Sequence, residues 1–170
     1  SSIVISLLTQ MFSAVQFVLA VGSFSVVPKA PLSFFQVESS KPLSFQFAAG
    51  WVVTYLPYHS PCSEVAARLF LLKMESRGAA AEEDLLRSFA SGSGGFKAFQ
   101  HLQQADMLST AVALFALRFA GCDLRLLKPG CLGFIQENYS EGAFLSGDGD
   151  PTRDVEYTFY GLLALGVLAE

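Results

Sequence analysis

The side chains best suited to chemistry gather in the second half of this 170-residue chain. His101, Asp106, Cys122 and Asp123 are metal-ligand types, and Asp148, Asp150 and Asp154 form an acidic loop. A zinc centre needs three or four such ligands converging on one ion. Asp106 and Cys122 instead flank an apolar stretch that reads as a helix, which holds them roughly 24 Å apart at 1.5 Å per residue. The 148–154 loop offers oxygen ligands to a hard cation but misses the EF-hand order, with Arg153 where the glycine belongs. Turn and helix-cap roles fit these acids better. Asp106 and Asp154 each stand just before an apolar run, where a carboxylate accepts orphan backbone N–H bonds at the positive end of the helix dipole. No metal site is expected.

Positioning these residues falls to a repeat. Tyr157–Leu168 is rich in Leu and Ala, has no Pro and exceeds strand length, so it reads as a buried helix. The same design occurs 48 residues earlier: Gly94 matches Gly142, Phe96 Phe144, Asp106 Asp154, Thr110 Thr158, Leu114 Leu162, Ala116 Ala164 and Leu117 Leu165. One unit is therefore a Gly-x-Phe turn, a polar loop, a capped apolar helix, a second turn and a second helix. Each such helix pair leaves an apolar face uncovered, so neighbouring units must stack to bury it.

The Gly-Gly-Phe…Asp…Ser-Thr…Ala-Leu pattern, followed by Gly-Ala-Phe…Asp-Val-Glu-Tyr-Thr-Phe-Tyr-Gly-Leu-Leu-Ala-Leu-Gly, resembles the repeat of protein prenyltransferase β subunits and squalene–hopene-type terpene cyclases. Two full copies and one degraded copy cover about residues 61–170. The resemblance implies an all-α fold of α/α-toroid type, here a partial ring of helical hairpins, whose inner helices line a cavity for an isoprenoid chain. Phe115, Tyr157 and Tyr160 are then the candidate cavity residues, with Tyr157 and Tyr160 three apart on one helix face. Ordinary helix–helix core is the competing reading for all three.

The resemblance also implies a zinc site built from Asp, Cys and His. Asp106 matches the ligand Asp, but Leu108 occupies the Cys position and Tyr157 the His position. Gln100 and Gln103 stand where the Arg and Lys that hold the diphosphate belong. Zinc-dependent prenyl transfer is therefore not expected, and no other cofactor is evident. An enzyme that handles an isoprenoid, as a prenyl diphosphate, in an aromatic cavity, a non-catalytic binding or assembly module, and a fragment of a larger toroid enzyme all remain open. A partial ring further implies self-association or a partner chain that completes it. The lone Trp51 does not supply the Gln and Trp pattern of the cyclases.

Composition sets the outer bounds. The chain is 52% hydrophobic and 15% charged, with net charge −4 and no basic cluster to follow a phosphate backbone, so nucleic-acid binding is excluded. Cys62, Cys122 and Cys131, odd in number and without paired spacing, read as reduced thiols of a cytoplasmic protein. Lys29, Glu38 and Lys41 are the only charges in residues 1–58, which separates this apolar segment from the repeat domain at 59–170. Ile3–Gly22 is long enough to span a membrane, but its Ser, Thr and Gln residues and the absence of flanking Lys or Arg favour a buried helix. The alternation at Leu43, Phe45 and Phe47 suggests short strand pieces between prolines. Within the domain, the pattern predicts inner helices at 65–74, about 108–120 and 157–168. Outer helices are expected at 82–90, with Leu85, Leu86 and Phe89 inward and Glu82, Glu83 and Arg87 outward, and at 131–138 after a break at Pro129. Gly78 and Gly121 are expected to end the first two inner helices, and Ser91–Gly95 to be a plain turn.

Overall fold

A computed structural model describes residues 59–169. The expectations for Ile3–Gly22, for the strand pieces near Leu43–Phe47 and for Trp51 lie outside the described residues. Within them the fold is all-α with one small hairpin: α1 Cys62–Met74, α2 Ala80–Arg87, α3 Met107–Phe119, α4 Lys128–Glu137, β1 Tyr139–Ser140, β2 Ala143–Phe144 and α5 Val155–Ala169. The central element is α3, which packs against α1 and α5, while α2 lies on α1 and α4 on α5.

This centrality explains the sequence of α3. A helix with neighbours on several sides is apolar nearly all round, and Met107, Ala111, Ala113, Leu114, Ala116 and Leu117 are all buried. Val65, Leu69 and Phe70 of α1, Leu86 and Phe89 at the end of α2, Phe134 and Ile135 of α4, and Ala164 and Leu168 of α5 complete the core. Burying one Leu or Phe side chain contributes about 1.5–3 kcal/mol, so most of the cohesion comes from these contacts.

The two full units close their corners with the same hydrogen bonds. Thr110 Oγ1 accepts from Phe96 N (2.8 Å) and donates to Asp106 O (2.7 Å). Forty-eight residues on, Thr158 Oγ1 accepts from Phe144 N (3.3 Å) and donates to Asp154 O (2.9 Å). One hydroxyl thus ties the turn to the first turn of the helix that follows. The glycine two residues before each Phe has a positive φ, +93° at Gly94 and +87° at Gly142, a conformation that a Cβ disfavours. In the later unit Glu141 also has a positive φ (49°), as a two-residue hairpin loop of the primed type requires.

Helix ends follow local rules, with several departures from the sequence expectations. At the end of α3, Gly121 N bonds to Arg118 O and Cys122 N to Leu117 O, a Schellman motif with Gly121 at φ +81°, as expected. The end of α1 has the same two bonds, Ser76 N to Lys73 O and Arg77 N to Leu72 O. Ser76, not Gly78, takes the left-handed conformation there (φ 56°); the two bonds offset the Cβ penalty. Pro129 opens α4 instead of breaking it, because a proline in the first turn forfeits an N–H that is orphaned anyway. Leu85 is exposed, while Glu82 and Glu83 turn toward α1 to pair with Arg68 (2.9 Å) and Lys73 (2.7 Å). The outward assignment of these acids is corrected accordingly: the Arg and Lys on the face of α1 draw them in.

Candidate functional site

The N-termini of α3 and α5 and the loops that lead into them surround an open cleft of about 460 Å³. One wall comes from the loop before α3, through Ala98, Leu102, Gln103, Gln104 and Ala105. Asp106 and Leu108 contribute the start of α3, Asp148 the loop before α5, and Tyr157 the first turn of α5. Backbone bonds hold these segments together. Met107 N donates to Ser146 O (2.6 Å), joining the two loops, and Cys62 N donates to Ala98 O (2.8 Å), fixing the far wall to α1.

Both cap expectations hold in the geometry. Asp106 Oδ1 accepts from Ser109 N and Asp154 Oδ1 from Tyr157 N, each at 2.8 Å. Beyond that the two acids differ. Asp106 Oδ2 is buried with no hydrogen-bond partner. Burial pushes the Asp106 carboxyl above the usual carboxylate range, the bond from Ser109 pulls it back in part, and the charge of Asp148 pushes it up further. Asp148 moves the other way, lowered by the Ser146 hydroxyl, which donates to its Oδ1, and by the backbone N–H of Asp150. Asp150 in turn accepts from Thr152 N (2.8 Å), so the acidic loop is a succession of Asx turns, as its sequence suggests.

Of the three aromatic cavity candidates, Tyr157 lines the cleft. Desolvation raises its phenol, and the charges of Asp148, Glu156, Asp154 and Asp106 raise it further. Tyr160 is buried in the core beside Phe159, with ring centroids 5.4 Å apart. Phe115 stacks in a second cluster with Phe70 and Phe119, at 5.9 and 6.5 Å. Neither is among the cleft-lining residues. Gln104 and Leu102 were not foreseen. Their only signal was membership of the polar loop between Phe96 and Asp106, and spacing alone does not say which loops meet.

The residues at the zinc positions do not fit that ion. Leu108 has no donor atom, Tyr157 is held neutral, and among the described residues no three His, Cys, Asp or Glu side chains converge. His101 is exposed beside Phe99, Cys122 donates to Glu83 Oε2 (3.3 Å), and Asp123 pairs with Arg125, which lowers its carboxyl to about 2. Cys62 lies under the site with its thiol donating to Ser109 O (3.8 Å). Burial, helped by the charge of Asp106, pushes it well above its usual value, so it is no thiolate ligand. All three cysteines are free. Gln100 donates to Ser88 Oγ (2.6 Å) on the side of α2 and does not line the cleft, whereas Gln103 does. No described helix is long and apolar enough to cross a membrane.

Comparison of the chain with protein-family models, with curated proteins and with solved structures returned no match.

Proposed function

We propose that residues 59–170 form a prenyltransferase-β- or terpene-cyclase-like α/α repeat, a partial toroid, that holds an isoprenoid chain in the cleft at its inner-helix N-termini without zinc chemistry. The observation that carries this reading is the duplicated corner, Phe N–H to Thr hydroxyl to Asp carbonyl at a 48-residue interval, with the cleft lined by Asp106 from one copy and Tyr157 from the other. Leu102, Leu108 and the Tyr157 ring give the cleft an apolar surface, and its volume is within the usual range for a small-molecule site. Titration of the full chain with farnesol and geranylgeraniol, with and without Zn²⁺, tests it. Binding heat that is indifferent to Zn²⁺ is the expected result. Absence of both heat and thermal shift at high ligand concentration would remove the reading.

A second reading, a non-catalytic assembly module, is favoured by one stripe of α5. Val155 and Leu162 are exposed there, whereas their counterparts one repeat earlier, Met107 and Leu114, are fully buried. On this reading a second copy or a partner chain covers the stripe, as α5 itself helps cover α3. Sedimentation of the wild type and of Leu162→Glu distinguishes the two. A concentration-dependent mass that the substitution abolishes supports assembly, and a monomer at every concentration rejects self-association.

A further inference from the structure

Val155, Phe159, Leu162 and Gly166 stand at i, i+4, i+7 and i+11 along α5 and therefore share one face. Val155, Leu162 and Gly166 are exposed there and Phe159 is partly buried. The same four places on α3, 48 residues earlier, hold Met107, Ala111, Leu114 and Arg118. The first three of these are fully buried and the fourth is charged. α3 has α5, the helix of the next unit, packed against it, whereas α5 is the last described helix and has no next unit beside it. By the repeat, an apolar helix belongs against this face, and on α5 the face runs to its end without the charge that closes it on α3.

What covers such a face must itself be free of charge, because an unpaired charge taken out of water is strongly destabilising. α1 carries Glu64, Arg68 and Lys73, α2 has four charges in AAEEDLLR, and α4 has Lys128 and Glu137. α3 is as apolar as α5 but is already flanked by α1 and α5. From Tyr157 to Ala169, α5 has no charge at all. The helix of this chain that matches the α5 face best is therefore α5 itself. We propose that this face docks a second copy of the chain, α5 on α5, antiparallel about a two-fold axis at Leu162. Antiparallel packing sets the two Glu156 carboxylates roughly 18 Å apart at 1.5 Å per residue, beyond the Debye length of about 8 Å; parallel packing would set them side by side. A Cβ at Gly166 would meet nothing within 4 Å, so the glycine leaves room for the second backbone to approach closely. The contact, roughly 22 by 10 Å on each chain, falls below the ~1,200 Å² of a stable interface, and the dimer is accordingly reversible. This deepens the assembly reading by naming the partner and its orientation, and it rests on that reading.

Cysteine cross-linking of the full chain in a Cys122→Ser background provides the test, since Cys62 and Cys131 are buried. Leu162→Cys chains at high concentration should join through a disulfide on mild oxidation and run at twice the monomer mass without reductant. Val155→Cys should stay single, because its mate lies roughly 21 Å away along the antiparallel pair, far outside disulfide reach. Random collision would give the reverse order, since Val155 is the more exposed of the two. Sedimentation of the wild-type chain should show a monomer–dimer equilibrium, and Gly166→Glu should raise its dissociation constant at least about tenfold by setting like charges against an apolar face. Circular dichroism melts of the dilute variants certify their folds. A dimer whose Leu162→Cys chains do not join, one whose Val155→Cys chains join as readily, or growth beyond a dimer overturns the antiparallel two-fold pairing and leaves the assembly reading standing. A monomer at every concentration removes both.

Discussion

Helices α3 and α5 are the same device used twice, and they end in different surroundings. Each is entered through an Asp cap and a Thr that ties back to a Phe corner. Yet Leu114 is fully buried and Leu162 is 59% exposed, while Met107 is fully buried and Val155 is 86% exposed. The hydrogen-bonding pattern travels with the sequence because each of its bonds joins residues within one unit. Burial does not, because it depends on which elements flank the helix. α3 has α1 on one side and α5 on the other, and α5 packs on α3 and α4.

The largest difference should appear when the matched leucines are truncated. Leu114→Ala opens a cavity in the centre of the helix layer and is expected to cost about 2–5 kcal/mol. Leu162→Ala removes a side chain that is more than half in water already, and should cost under about 1 kcal/mol. Urea unfolding of the two variants reads the contrast directly. Equal losses would mean that the α5 stripe is covered in solution, which would break the comparison and favour the assembly reading.

The corners come next. A Cβ added at Gly161 would stand 2.3 Å from the Phe144 ring, so α5 needs glycine where α3 carries the buried Ala113. Gly161→Ala should therefore destabilise by about 1–3 kcal/mol through overpacking, despite the better helix propensity of alanine. Thr110→Val keeps the shape of the side chain but strands the buried N–H of Phe96, at about 1–3 kcal/mol. Thr158→Val should cost less, because its bond to Phe144 N is longer (3.3 Å) and the site is only partly buried. Thermal melts of the two Thr variants would sharpen the comparison if the order holds, and reversal of the order would refute it.

What the sequence revealed divides along the same line. The caps at Asp106 and Asp154 and the left-handed Gly121 follow from residue type, because each is a bond or a φ angle within one unit; the 48-residue match of Thr110 with Thr158 marks where the Thr–Phe ties form without naming the bond. The exposure of Leu85 and the inward turn of Glu82 and Glu83 could not, because they depend on Arg68 and Lys73 of a neighbouring helix. Tyr157 was identified as a cavity residue and does line the cleft, but Tyr160, three residues on, faces the core. A shared helix face says that two side chains point one way, not where a cavity begins and the core ends. Gln104 and Leu102 line the site on a loop held at its ends by contacts distant in sequence, Cys62 N to Ala98 O and Met107 N to Ser146 O, and no spacing rule encodes those contacts.

The smallest effect is a matter of sign, and it sets the interior of the cleft against its rim. Asp106, raised above its ordinary value of 3.8 by burial, binds its proton more tightly folded than unfolded. Its contribution to stability is therefore complete below pH 3.8 and is lost as pH rises through the raised folded value. Asp148, lowered by the Ser146 hydroxyl and the Asp150 N–H, contributes above 3.8 and loses its contribution as pH falls through the depressed folded value. Asn caps a helix about as well as Asp. Asp106→Asn should then raise the melting temperature near neutral pH relative to wild type and gain less, or nothing, in acid. Asp148→Asn should lower the melting temperature near neutral pH and converge on wild type in acid. Melting curves of the three proteins between pH 3 and 7 decide the matter. Parallel pH profiles for the two variants would show that the carboxylates share one environment, and the distinction between a buried Asp106 and a solvated Asp148 would fail with it.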